Sequence, residues 1–237
     1  MQSLNRTATT GVTTEALYDE GLRQHMLRVY NFMLMGLGLT GAVALFVASS
    51  PAMMSVIFGT PLQWVVMLAP LGFVFFLSFR VDKISAATAQ ALFWVFAGVM
   101  GLSLASIFHI YTGTSIARVF FIAAAMFGAM SLFGYTTKRD LSKMGSFLMM
   151  GLFGIIIASI VNIFLGSSAL QFAVSVIGVV VFTGLAAYDT QRIKEVYHEG
   201  HGSEGLTKLA VLGALSLYLS FINLFMMLLS LLGQREE

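Results

Sequence analysis

The chain predicts an all-α polytopic membrane protein of seven transmembrane helices, on three observations. Of its 237 residues, 58% are hydrophobic and only 10% charged, whereas a soluble domain coats its surface with about a quarter charged residues. Seven apolar stretches each reach the roughly 20 residues that a helix needs to cross a hydrocarbon core about 30 Å thick. Finally, the basic residues between those stretches gather on alternate sides. The runs are continuous rather than alternating at period two, which favours helices over barrel strands.

The spans run 27–49, 61–79, 86–108, 115–135, 144–165, 170–190 and 208–232. Ahead of the first, residues 1–26 carry Glu15, Asp19 and Glu20 and lack an apolar core. They read as a cytoplasmic amino-terminal tail, mobile and closing in a short amphipathic turn, rather than as a cleavable signal. The first span then serves as its own insertion signal, and its Gly36, Gly38 and Gly41 read as close-contact positions. The second ends on Arg80. Ser103 and Ser106 in the third span, and Ser159 and Asn162 in the fifth, are the type of residue that forms hydrogen bonds between membrane helices. Short loops leave no room for a soluble domain, so residues 27–237 form one seven-helix unit.

Eleven of the thirteen Lys and Arg lie in the tail or at the second-third, fourth-fifth and sixth-seventh junctions; Arg118 and Arg235 fall on the other side. Basic residues near span ends stay in the cytoplasm, so the amino terminus is expected inside and the carboxyl terminus outside. The net charge of +2 is scattered and not gathered in a patch, which argues against nucleic acid as a partner. The partner the composition does require is the lipid bilayer. No cysteine is present, so thiol chemistry and disulfides are excluded.

Ionisable groups inside a bilayer cost roughly 2.5–3.5 kcal/mol at mid-helix, which makes each one a functional candidate. Asp189, near the end of the sixth span and flanked by Tyr188 and Thr190, is the foremost. It acts as a working carboxylate, or it snorkels to the interface or pairs with a base such as Arg80 or Arg192. In the seventh span Ser216, Ser220 and Asn223 recur at i, i+4 and i+7, placing hydroxyl and amide groups on one helical face. Interhelical hydrogen bonding is the simpler role for that face.

Catalytic readings fail in turn. An intramembrane aspartyl protease needs a second membrane aspartate, a retinal Schiff base needs a mid-span lysine, and a zinc protease needs its paired histidines around a glutamate. His198, Glu199 and His201 share a Gly-rich loop that reads as solvated rather than metal-binding. The chain is therefore read as a non-enzyme without a cofactor.

Gly101 through Ala105 (GLSLA), Phe127 through Gly145 (FGAMSLFGYTTKRDLSKMG), Tyr188–Asp189–Thr190 and Leu217 through Phe225 (LYLSFINLF) occur in that order. Together they resemble the Bax inhibitor family, also called the transmembrane Bax inhibitor motif family, over residues from about 25 to the end. The resemblance implies a bundle in which six helices surround a central seventh, and a pH-responsive calcium leak channel in a bacterial inner membrane. It also implies a latch of two aspartates, on the sixth and seventh spans, with an arginine of the second span engaging the first. Asp189 matches the first aspartate and Arg80 the arginine.

The sequence departs from that pattern at Ser220, where many members carry the second aspartate. Paired carboxylates repel one another, and that repulsion lets such a pair titrate near neutral pH. With Ser220 in place, pH gating is expected to be weakened or shifted to acid. Calcium prefers six to eight oxygen ligands, so Asp189, Ser220 and Asn223 imply a weak, transient calcium contact, which conduction tolerates. On these grounds Asp189, Arg80, Ser220 and Asn223 are the expected gate and cation contacts, with Ser216, Tyr188 and Thr190 as a supporting polar face. The alternative is a non-transporting regulator that binds membrane partners, as relatives that associate with a membrane-anchored ATP-dependent protease do.

Overall fold

The computed structural model describes residues 2–197 and 202–236, with side chains from Tyr18 onward except that of Asp82. His198, Glu199 and His201 therefore lie outside the described residues. Within them the helices are α1 (Gln2–Ala48), α2 (Pro51–Phe58), α3 (Leu62–Arg80), α4 (Ala86–Leu104), α5 (Ile107–Ile110), α6 (Gly113–Thr136), α7 (Ser142–Leu165), α8 (Ser168–Val196) and α9 (Gly202–Leu232). Seven segments are long and apolar enough to cross a membrane: part of α1 from Tyr18, α3, α4 continued by α5, and α6 to α9.

Helix starts follow local chemistry. Ser50 caps α2 by accepting from the Met53 N–H (3.4 Å), with Pro51 in the first turn, where a missing N–H costs nothing. Ser85, Thr112 and Ser167 cap α4, α6 and α8 in the same way. Gly166 stops α7 in a left-handed conformation (φ 59°) that favours glycine.

Three boundaries differ from the sequence reading. Helix α1 begins at Gln2, so the segment expected as a mobile tail is helical. Helix α8 continues to Val196 instead of stopping near 190, which leaves Asp189 about two turns from its end. Helix α2 was not anticipated, because an eight-residue apolar piece between two spans is too short to register as a crossing.

α9 is the most enclosed span: 56% of its apolar window is buried, against 11% for α7. It packs on α8, α1, α6 and α4, while α3 packs principally on α4, and α7 on α8. Ala210 and Ala214 are fully buried on α9, and small residues of this kind let membrane helices approach closely. Helices α8 and α9 run antiparallel, as successive contacts Ser175–Ser230, Gly178–Met227, Asp189–Ser220 and Ile193–Gly213 demonstrate. The large apolar side chains left outside, such as Phe79, Ile163 and Phe164, offer α3 and α7 a lipid-facing surface.

Close approach at the first-span glycines is borne out only in part. A Cβ on Gly36 would press on Phe93, whereas Gly38 and Gly41 face open space. Ser106 bonds back to the Ser103 carbonyl (3.2 Å) and not to another helix. Asn162 does join α7 to α8, accepting from the Ser167 N–H (3.0 Å) and donating to Gln171 Oε1 (3.3 Å).

Candidate functional site

Asp189 lies on the inner side of α8 and is 7% exposed. Its Oδ2 accepts a hydrogen bond from Ser220 Oγ on α9 at 2.8 Å. A hydroxyl donating to a carboxylate makes one of the stronger neutral-to-charged bonds, and here it ties the most enclosed helix to its closest neighbour. Beside this bond lies a cavity of about 360 Å³ lined by Asp189, Arg192 and Val196 of α8, Ser216 of α9, Ser78 of α3 and His25 of α1, with apolar side chains between. From Asp189 to Val196 it follows α8 for about 10 Å. This is the basic end of the bundle.

Four expected site residues are not gathered here. Arg80 is exposed as the last residue of α3 and forms no ion pair with Asp189; among the described residues the ion pairs are Arg23–Glu20 and Lys208–Glu204. Ser78, two positions earlier, takes the cavity side of α3 instead. Asn223 turns its amide back to the Leu219 carbonyl of its own helix (2.8 Å). Tyr188 and Thr190 are each turned about 100° from Asp189 around the helix. Tyr188 packs over Gly145 of α7, where any Cβ would overlap its ring. Thr190 faces α6. Asp189, Ser220 and Ser216 are thus the expected residues that meet.

Thr190 is nevertheless structurally specific. It is fully buried and bonded to Ser131 Oγ (2.8 Å), which in turn bonds Tyr30 Oη (2.6 Å), a hydroxyl chain across α8, α6 and α1. Next to it, Gln191 accepts from the Leu141 N–H and donates to the Arg139 carbonyl, both at 2.8 Å, and so fixes the turn between α6 and α7. Gln191→Leu strands both backbone groups and is expected to cost about 2 kcal/mol. Hydrogen–deuterium exchange checks this: the Leu141 amide should lose protection while α9 keeps its own.

The sequence aligns with the family described as "Inhibitor of apoptosis-promoting Bax1" over residues 22–237. The chain belongs to the Bax inhibitor family. It is 48% identical over 219 residues to inner membrane protein YbhL of Escherichia coli K12, covering 91% of this chain and 94% of that one. It is 49% identical to protein RP147 of Rickettsia prowazekii over the full length of both, and 48% identical over 229 residues to a Caulobacter vibrioides protein, 92% of each.

In this Bax inhibitor family member the buried polar pair joining α8 and α9 is a carboxylate and a hydroxyl, Asp189 and Ser220. No group of three His, Asp or Glu side chains is placed to hold a metal among the described residues. Asp189 offers one charged ligand, with Ser216 and Ser78 hydroxyls along the same wall. Such a lining has too few oxygen ligands to replace a cation's hydration shell. Sequence reasoning missed His25, which is 5% exposed and lines the cavity. Starting the first span at 27 left His25 in a supposed tail; the only signal was a polar residue one turn before an apolar run.

Proposed function

We propose that the protein is a cation leak pathway of the bacterial inner membrane, with calcium as its ion and Asp189 as gate and cation contact, and that it is not an enzyme. The observation that carries this reading is Asp189 itself: a buried carboxylate beside a 360 Å³ cavity, held by Ser220 of the enclosed helix and paired with no cation within the described residues. Holding such a group at mid-helix in a bilayer costs roughly 2.5–3.5 kcal/mol, which is what marks it as a functional group. Family membership supports the reading, and the inner-membrane location is taken from YbhL. The distribution of Lys and Arg supports a cytoplasmic basic end and amino terminus.

In the closed state Ser220 occupies Asp189; opening parts α9 from α8 there and leaves the carboxylate to a passing cation. Ser216 and Ser78 supply oxygen contacts along the entrance. Because only one carboxylate is present, binding is weak and release is fast, as conduction requires.

The test is calcium flux into liposomes holding the purified protein. Asp189→Asn keeps the shape and removes the charge, and a charged hydrogen bond worth about 1.5–3 kcal/mol corresponds to a flux change of about tenfold or more. Ser220 in place of a second carboxylate favours the other reading, a regulator that binds membrane partners and transports nothing. That reading predicts vesicles as tight as empty ones, and a function in cells that survives Asp189→Asn.

A further inference from the structure

A cleft of about 520 Å³ shares no residue with the Asp189 cavity and takes its walls from α1 and α6, with Phe221 of α9 at the bottom. Helix α1 packs principally on α4 and α9, and α6 on α8 and α9, so the two walls flank α9 and leave a slot over it. Met26, Met33, Phe127 and Phe221 are at most 5% exposed, whereas Leu34 is 61% and Leu132 64% exposed. A buried floor between exposed rims is an opening toward the lipid, unlike the outward side chains of α7. The hydroxyls in its wall, Tyr30 and Ser131, bond one another at 2.6 Å and leave the slot lined by carbon. Its occupant is therefore apolar along most of its length.

The slot runs along the spans. From Arg23 to Leu37 α1 rises about 21 Å, and the facing wall from Tyr135 back to Phe120 about 22 Å. Half of a bilayer about 40–45 Å thick with its headgroups is also about 21 Å. The cleft thus has the length of one lipid, headgroup to chain end. Its Arg23 end lies at the basic end of the bundle. There Lys194 Nζ donates to the Tyr135 carbonyl (3.0 Å) and stands 5.5 Å over the Tyr135 ring, and the exposed Lys138 and Arg139 follow directly on α6. Glu20 engages Nε and Nη2 of Arg23 and leaves Nη1 for a second acceptor. Asp140 is bound to the Ser142 N–H (2.8 Å), and Glu195 is turned about 100° from Lys194 around α8. The far end, between Leu37 and Phe120, is apolar.

We infer that this cleft binds one anionic glycerophospholipid from the leaflet on the basic side, with an acyl chain in the slot and the phosphate at Arg23 and Lys194. Basic pockets between spans, at the end that carries the excess of Lys and Arg, suit acidic headgroups. Tyr135 stands at the interfacial level that tyrosine favours. The Tyr30–Ser131 bond joins the two walls more closely than a helix about 10–12 Å across can enter, so the occupant is a hydrocarbon chain and not a segment of protein. The site is independent of what Asp189 does.

The experiment is photo-cross-linking of the full chain in phosphatidylcholine liposomes that contain a minor fraction of phosphatidylglycerol, with a diazirine near the end of one acyl chain of either lipid in turn. The phosphatidylglycerol probe is expected to label Leu37 and Phe120, at the far end of the slot, well above Ile163 and Phe164 of α7, which meet bulk lipid. Gly128 lines the slot and has nothing within 4 Å of an added Cβ. Gly128→Leu therefore fills the slot without pressing on the core, and should bring labelling at Leu37 and Phe120 down to the α7 level while the thermal midpoint holds. Arg23→Gln should reduce the preference for phosphatidylglycerol over phosphatidylcholine by about fivefold, the worth of one basic residue near the headgroups. Glu20→Gln, which frees the guanidinium, should raise that preference. Labelling of the slot no stronger than that of α7 means boundary lipid only and overturns the inference, as does cross-linking of two copies of the chain through the slot. Equal labelling by the two lipids, unmoved by Arg23→Gln and Glu20→Gln, overturns the headgroup assignment. If Gly128→Leu fails to fold, the two charge variants still decide. Calcium flux enters none of these outcomes, so the site and the leak reading stand or fall separately.

Discussion

Replacing Gly134 with alanine will lower the thermal midpoint of the purified protein by about 10 °C. A Cβ at 134 points directly into the backbone carbonyl of Ala187, where α6 crosses α8. A flexible side chain could swing aside, but a carbonyl inside a helix moves only with the helix. The crossing must therefore widen. Widening it pulls Ser131 away from Thr190, whose hydroxyls are 2.8 Å apart, and breaks the chain to Tyr30. Overpacking costs about 1–3 kcal/mol, at the upper end where the obstacle is backbone, and each kcal/mol moves the midpoint of a chain this long by about 2–4 °C. Gly128 on the same helix has nothing within 4 Å of an added Cβ. Gly128→Ala should thus be neutral or slightly stabilising, since alanine is the better helix former by about 1 kcal/mol. If both variants melt with the wild type, α6 and α8 are not in contact as described.

The same crossing indicates how much was legible beforehand. Seven spans and their all-helical nature follow from hydropathy, because a bilayer leaves few other ways to satisfy a backbone. Asp189 stands out for the same reason, as a charge in an apolar run. Its partner Ser220 was legible through helical spacing, which put Ser216 and Ser220 on one face. What spacing could not supply is which way each neighbour turns. Tyr188, Thr190 and Asn223 sit beside the site in sequence yet serve α7, α6 and their own helix. Arg80 was reachable by a residue match but not by geometry, since the cavity face of α3 passes through Ser78. His25 was lost to a helix boundary: hydropathy marks where apolar residues begin, and α1 extends ahead of that point, with Leu22 and Met26 on either side of His25 already in the core. Gln191, adjacent to Thr190, carries no signal of the turn it holds until that turn is seen.

Ser220→Asp should give the protein a neutral pH step that the wild type lacks. The substituted carboxylate enters where Ser220 Oγ now meets Asp189 Oδ2 at 2.8 Å. Two carboxylates so close resist ionising together, so the pair loses its two protons in two steps about 3 units apart and shares one proton between them. Around neutral pH the variant pair carries one negative charge and a strong hydrogen bond between α8 and α9. As pH rises through the second step that proton leaves, the two charges repel, and the helices separate where the latch stood. Calcium flux is then expected to climb with pH across the neutral range by about tenfold, the factor that corresponds to losing about 1.4 kcal/mol of closed-state preference. In the wild type Ser220 keeps its proton throughout, so no second charge arises and no such step occurs. Ser220→Asn separates charge from size: it fills the space, donates a hydrogen bond, and should keep the wild-type profile. A Ser220→Asp profile that overlays the wild type from about pH 5 to about pH 8 would mean that the α8–α9 contact does not govern opening, and the gate would have to be sought elsewhere along α9.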